Sequence, residues 1–288
     1  MPRFPSASVT GSHCELNCKH CGAHYLGHMS NVDTPEKLKQ FCLDLEAKDA
    51  LGLLVSGGSD TTGRVPLRPI LGTLSWVKEN TGLIVNLHTG MLSREEAEEI
   101  ASTGVDIASI DIVGSEDTLK EVYGLEASLD TYTSTLNYLV ESGLPQVAPH
   151  ICIGLNFGKL KGEYRALEIA GSINPETIVF LGLIPTTGTE MEKVAPPSIN
   201  DIVGLIRKAK EDYPSTEVSL GCMRDRANKP ELEWRAIEAG LDRLALPTRS
   251  TVKRAVDAGY DVIELDGCCA IPRSLEHRTR RLGAQAEL

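Results

Sequence analysis

Positive charge is in short supply in this chain, with 29 Lys and Arg against 40 Asp and Glu in 288 residues and a net charge of -11. Polyanion binding is driven by clustered Lys and Arg, so DNA and RNA are excluded as expected partners in favour of a small molecule or a protein. Long apolar runs are missing too, and none reaches the length of a membrane span. The opening Met-Pro-Arg-Phe-Pro-Ser has no apolar core of a secretory leader, which makes the cytoplasm the expected location. A dinucleotide fingerprint is absent, because Gly57-Gly58 continues as Ser-Asp-Thr-Thr-Gly and not in the order G-x-G-x-x-G. Nor is there a linker, a low-complexity tract or a shift of composition that would divide the chain.

What the chain does have is cysteine, eight in all. With no leader in front of them, these thiols are expected to stay reduced for metal work and not to form disulfides. Three of them open the sequence as Cys14-Glu-Leu-Asn-Cys18-Lys-His-Cys21. Thiolates at these spacings converge on one centre when the backbone between them curls into a loop, and the set suits an iron-sulfur cluster or zinc. For zinc, any of His13, His20, His24 and His28 would complete a tetrahedral site. Cys42 lies at helical spacing with Leu38, Phe41 and Leu45 behind Thr34-Pro35-Glu36, so it reads as core.

The rest of the chain alternates. Strand-like runs begin at Ser6 and Leu51 and recur over 83–87, 106–113, 147–155, 177–184, 217–220 and 241–246. Helix-like stretches lie between and after them, over 66–80, 93–103, 115–142, 162–172, 198–213, 230–239 and 249–258, many with a glycine near their ends. Eight such units predict an α/β fold, a closed parallel (β/α)8 barrel of the TIM type over residues 1–260. Residues 261–288 form an extension over one mouth; they turn basic with Arg273, Arg278, Arg280 and Arg281. Active sites of such barrels gather at the carboxyl ends of the strands. There the sequence places Gly57, Gly58, Asp60, His88, Asp111, Asn156, Leu183 and Ile184. The paired glycines would let a ligand approach bare backbone.

Cys14, Cys18 and Cys21 resemble the signature of the radical S-adenosylmethionine (radical SAM) enzymes, whose C-x3-C-x2-C loop holds three irons of a four-iron, four-sulfide cluster. In that family SAM fills the fourth iron through its amino and carboxylate groups. The resemblance implies that Gly57 and Gly58 meet the methionine amino group with Asp60 as acidic partner, although Ser59 stands where the family usually has its acid. It also implies that His20, in a place usually aromatic, stacks on adenine, that His88, Asp111 and Asn156 bind ribose and carboxylate, and that Leu183 and Ile184 line the adenine. The family needs an electron donor such as ferredoxin or flavodoxin.

Three further stretches resemble the biotin synthase group: Ile151-Cys152-Ile-Gly-Leu-Asn-Phe-Gly, Leu183-Ile-Pro-Thr-Thr-Gly-Thr189, and Val218-Ser-Leu-Gly-Cys222-Met-Arg224. In that group a second, auxiliary iron-sulfur cluster lies inside the barrel with an arginine beside it, a place that Arg224 matches. Two auxiliary cysteines of biotin synthase have Ser56 and Asn86 in their places here, while this chain supplies Cys222 and the pair Cys268-Cys269, with Cys152 in reserve. This cysteine set and the lead-in Phe4 to Gly11 look like the two-component lipoyl synthases. That likeness implies sulfur insertion into an octanoyl chain on a carrier protein, with a second radical SAM subunit as partner. Two alternatives stand beside it: a radical rearrangement or maturation enzyme on a small amino-acid-type substrate without an auxiliary cluster, and a zinc-stabilised binding protein without catalysis.

Overall fold

The computed structural model describes residues 3–280, so Arg281 and the last residues of the expected extension lie outside the described residues. Nine parallel strands follow one another: β1 Ser6–Ser8, β2 Ser30–Asn31, β3 Gly52–Ser56, β4 Ile84–His88, β5 Ile107–Asp111, β6 Val147–Ile153, β7 Thr177–Gly182, β8 Glu217–Leu220 and β9 Arg243–Leu244. Their order in the sheet is β2-β1-β3-β4-β5-β6-β7-β8-β9, so every neighbour from β3 on is also the next strand in sequence. The fold is the expected α/β barrel type. One strand exceeds the expected eight, because β2 pairs only Ser30 and Asn31 with Ala7 and Ser8 and is too short to leave an apolar run in the sequence.

Alternation along the strands gives the sheet two apolar faces. Leu53, Val55, Val85, Leu87, Ala108, Ile110, Ile151, Ile178, Phe180, Val218 and Leu220 point outward to the helices in one continuous core. The helices α1 Pro35–Glu46, α2 Leu71–Asn80, α3 Arg94–Ser102, α5 Leu129–Glu141, α6 Glu163–Gly171, α7 Ile199–Asp212, α8 Lys229–Glu238 and α9 Arg249–Asp257 cover that face. Several begin at the side-chain caps that their sequences announce, as at Thr34, Ser93 and Ser198. Cys42 is fully buried in this layer, as its spacing required.

The helix expected over 115–142 is broken. It starts as α4 Glu116–Thr118, widens into a π turn at Leu119–Tyr123 and stops at Gly124, whose φ of 70° suits glycine, before α5 resumes after the Ser128 cap. The break turns the Val122 carbonyl toward the cysteine loop, where it accepts the Lys19 N–H at 2.9 Å.

The opposite face of the sheet closes on a second, smaller apolar cluster in the lumen: Phe4, Ile84, Ile107, Ala148 and Val179 meet Ala270 and Ile271. These strand residues come from the amino-terminal halves of β4, β5, β6 and β7, so it is the amino-terminal mouth that the extension plugs. Charged contacts hold it there. Arg273 pairs with Glu217 at 2.6 Å, Arg278 donates to the Gly82 carbonyl, and Arg243 of β9 pairs with Glu276 of the extension at 2.7 Å, while Arg280 pairs with Glu276 within the extension at 3.6 Å. Among the described residues, no helix is long and apolar enough to cross a membrane.

Candidate cofactor and metal sites

The first site grows from the turn after β1. Thr10 Oγ1 donates to the His13 carbonyl at 2.8 Å and accepts the Gly58 N–H at 2.7 Å, while the Glu15 N–H reaches the Ser59 carbonyl at 2.8 Å. The loop after β3 is thereby stitched against the loop after β1. Within that seam the Ser59 N–H points at Cys14 Sγ, 3.4 Å away, a donor suited to a thiolate. Gly58 is indispensable to the contact, since a Cβ there would lie 2.0 Å from the His13 carbonyl oxygen and 2.6 Å from the Cys14 Cα. Gly58 thus gives way to the cysteine loop itself, where the sequence reading had only a ligand approaching bare backbone.

Cys18, His20 and Cys21 bring one donor atom each within 4.8 Å of one another. Cys18 and Cys21 share a hydrogen bond, which pushes Cys21 down to about 4 against its burial and pushes Cys18 up. His20, hydrogen-bonded to Cys21, favours the thiolate further, and its ring packs on Tyr123 at 5.4 Å between centroids. Its Nδ1 is buried with no partner among the described residues. Cys14 is close enough for its charge to raise Cys18. Three thiols converging on one loop, one of them readily ionised and another facing a backbone donor, fit a cluster with three cysteine ligands. His13 and His24 are directed elsewhere, toward Glu15 at 4.0 Å and toward the ring of His28 at 5.2 Å.

Around this loop the structure gathers most of the expected mouth residues. His88 Nε2 stands 3.8 Å from Asp111 Oδ2, and the His88 ring meets His150 edge-on at 5.6 Å. Burial and the neighbouring His88 push His150 down to about 4, so its imidazole is neutral, with Nδ1 2.9 Å from the Ala148 carbonyl. Ile184 is half-buried beside the loop after β7, which Tyr25 ties to the cysteine loop through a 2.7 Å bond to Thr186. Asn156 donates to Glu121 at 3.3 Å. Asp60 commits one oxygen to its own loop, accepting from Thr62 N and Oγ1 at 2.8 and 2.7 Å and from Arg64 N at 3.1 Å. Burial raises that carboxyl, but these bonds outweigh it and hold it below its usual value. Sequence reasoning missed the buried His150 and Tyr132 and the partly buried Tyr123, all near Asp111. A histidine inside the apolar run Val-Ala-Pro-His-Ile-Cys was the available signal for the first.

The second set of thiols joins the plug to the turn after β8. Cys268 and Cys269 ride on the plug that carries Ala270 and Ile271, and both pack against the inner apolar cluster. Cys222 follows β8 and hydrogen-bonds Cys269, which pushes Cys222 down to about 6 and Cys269 up. Burial raises Cys268, which receives Asn86 Nδ2 at 3.4 Å and feels the charge of Cys222. Chain segments more than forty residues apart thus converge on one place. Cys152 stays apart from them, on β6 near Asp111 and Cys21, and burial pushes it up.

Arg224 is almost wholly buried, at 1% exposure, and its guanidinium spans the turn after β8. It donates to the Gly221 carbonyl, to the Ala245 carbonyl at 2.8 Å and to Glu233 at 2.7 Å, leaving Nε as its one nitrogen without a partner. Glu233 is fully buried too and accepts Thr248 N, Thr248 Oγ1 and Thr251 Oγ1 at 2.6–2.9 Å.

A parallel α/β barrel with a three-cysteine loop at the carboxyl end of its first strand defines the class of protein. Residues 8–159 match the family model of the radical SAM superfamily, and the chain belongs to that superfamily. Among curated proteins it is similar to biotin synthase of Vibrio cholerae serotype O1 (strain ATCC 39541 / Classical Ogawa 395 / O395), 25% identical over 230 residues that cover 77% of this chain and 64% of the relative. The chain thus spans less than two thirds of the length of that relative. Two solved structures share the fold: HydG, a maturase of the FeFe-hydrogenase, with a TM-score of 0.65 at 19% identity over 86% of this chain and 57% of the other, and methylornithine synthase PylB, with 0.61 at 15% over 96% and 78%.

Proposed function

We propose that this chain cleaves SAM reductively at a cluster held by Cys14, Cys18 and Cys21 and uses the resulting radical to insert sulfur at an unactivated carbon. The cluster, when bound, supplies the electron for that cleavage. The protein's own part is to fix the thiols, to orient SAM between the loops after β1 and β3, and to keep water out of the lumen. Gly57 and the half-buried Ile184 border the space for SAM, with His88, Asp111 and Asn156 as its hydrogen-bond partners and His20 beside the thiols.

The observation that carries the sulfur-insertion reading is the second set of thiols, Cys222 in contact with Cys269 and with Cys268 close by, where the plug meets the turn after β8. Three cysteines from two distant segments, Cys268 and Cys269 half-buried on the plug and Cys222 exposed after β8, meet closely enough to suit an auxiliary cluster better than loose thiols. The likeness to two-component lipoyl synthases favours an octanoyl chain on a carrier protein as substrate, with a second radical SAM subunit and a ferredoxin or flavodoxin as partners. Since the amino-terminal mouth is plugged, such a chain would enter from the carboxyl end.

Anaerobic reconstitution followed by iron and sulfide assay tests this reading. About eight irons per chain are expected, with formation of 5'-deoxyadenosine under dithionite. Replacing Cys14, Cys18 or Cys21 by alanine should abolish that product and leave the fold intact, because the loop lies outside both apolar clusters apart from Leu16, which packs against the larger one. About four irons with cleavage intact would transfer the chain to radical chemistry without sulfur insertion, and zinc in place of iron would remove catalysis altogether.

A further inference from the structure

Cys18 and Cys21 stand on one tight turn with a further donor between them. The Cys21 and Gly22 N–H groups both reach the Cys18 carbonyl, at 3.1 and 2.8 Å, and Gly22 completes the turn with a φ of 49° that favours glycine. The turn folds the two thiols and a ring nitrogen of His20 into a set whose donor atoms all lie within 4.8 Å of one another. Cys14 falls outside that set. We infer that Cys18, His20 and Cys21 form a site for a single thiophilic divalent ion such as zinc, taken up by the cluster-free chain in competition with cluster assembly. The site does not depend on the radical reading.

Spacing separates one ion from a cluster. Metal–ligand bonds of about 2.0–2.3 Å in a tetrahedron hold neighbouring donors roughly 3.3–3.8 Å apart, a short adjustment from the observed grouping. Cys18 and Cys21 are already in hydrogen-bond contact. Thiolates of a four-iron cluster each bind a different iron and stand farther apart, so seating the cluster must spread Cys18 from Cys21 and draw in Cys14. Two thiolates and an imidazole are donors that suit zinc, with solvent in the fourth position.

A second observation marks His20 as the nitrogen donor. Its Nδ1 is buried with no partner among the described residues. Buried polar atoms are nearly always satisfied, and a ring nitrogen beside two thiols is satisfied by a cation. The ring is held in place, because it packs on Tyr123 at 5.4 Å between centroids and the Lys19 N–H next to it is fixed to the Val122 carbonyl at 2.9 Å. Residues of the π turn thus orient this donor as outer partners orient a metal ligand. The other histidines of the loop lack such a placement: His13 turns to Glu15, and His24 and His28 meet each other at exposed positions. Binding involves no redox change: two zinc–sulfur bonds and one zinc–nitrogen bond form as water leaves the ion, and each thiol still protonated gives its proton to the buffer.

The experiment uses the full chain with Cys222, Cys268 and Cys269 replaced by alanine, so that metal reports the first loop alone. Metal-free, this background should bind about one zinc per chain, measured by competition with a chromophoric chelator, and should give with cobalt(II) the absorption of a tetrahedral thiolate site. Zinc-loaded, it should resist anaerobic reconstitution, whereas the metal-free form takes up about four irons. His20→Ala should weaken zinc binding at least about tenfold, change the cobalt spectrum, and still take up about four irons when metal-free. Cys14→Ala should do the reverse, keeping zinc and losing the cluster. His24→Ala should match the background throughout. Metal-free His20→Ala should melt with the background, which separates ligand loss from unfolding. An unchanged zinc affinity and cobalt spectrum in His20→Ala would overturn the assignment, as would a background that binds no zinc or a zinc-loaded chain that takes up iron as readily as the metal-free one. A background that binds zinc through His20 and takes up no iron would leave this site standing and overturn the radical reading instead.

Discussion

Arg224 and Glu233 illustrate how much one buried pair carries. Their charges are paired with each other and with six other polar groups, four of them from the start of α9 and the turn after β9, the others being the Gly221 carbonyl and the more distant Lys229 ammonium, 3.7 Å from Glu233. Removing one partner strands the other charge in the interior, so Arg224→Met or Glu233→Gln should each cost about 3–5 kcal/mol, measured by denaturant unfolding of the apo protein. Burial raises the Glu233 carboxyl, but the bonds from Thr251, Thr248 and Arg224 outweigh it and hold it below the usual 4.5. A carboxyl whose folded value is depressed adds stability in full above its unfolded value and loses it as pH falls through the folded one. Stability should therefore drop below about pH 4.5, and Glu233→Gln should flatten that part of the profile. Gly58 is a second residue whose role is decided by contact. Gly58→Ala should depress iron loading of the first site, measured by iron assay, because its Cβ collides with backbone at His13 and Cys14. Normal loading with weakened SAM binding alone would return Gly58 to the purely ligand-facing role.

At the scale of elements, the plug is the piece with the most consequences. Ile271 is fully buried and joins residues of β4, β5 and β7 in the inner cluster. Ile271→Ala should cost about 2–5 kcal/mol and, more tellingly, should loosen Cys268 and Cys269, lowering iron at the second site before the first. Equal loss at both sites would mean that the plug supports the whole barrel and not that site in particular. The broken helix before α5 is the other element with a local role, because its π turn supplies the carbonyl that anchors Lys19 beneath the cysteine loop. A straight helix over 115–142 would have kept that carbonyl for its own ladder.

For the whole molecule, the decisive measurement is the division of iron between the two sets of thiols. The Cys222, Cys268 and Cys269 triple alanine variant should keep 5'-deoxyadenosine formation while losing about half of the iron and all sulfurated product. Retention of all iron would place the auxiliary ligands elsewhere, with Cys152 the first to test. The sequence alone determined the barrel and the first site. Strand and helix periods are local, and Cys14, Cys18 and Cys21 lie so close along the chain that their spacing already constrains their convergence. Eight of the nine strands were legible for the same reason, and β2 was not, since Ser30 and Asn31 are polar and lie in no apolar run, whereas the equally short β9 sits inside the apolar stretch 241–246. Only the tertiary structure decided which mouth the extension closes, that Arg273 and Arg278 reach Glu217 and the Gly82 carbonyl across it, and that Arg224 pairs with Glu233. These depend on contacts between residues far apart in sequence, such as Cys222 with Cys269 and Asn86 with Cys268, and no local pattern encodes which distant side chain will occupy the space across a lumen.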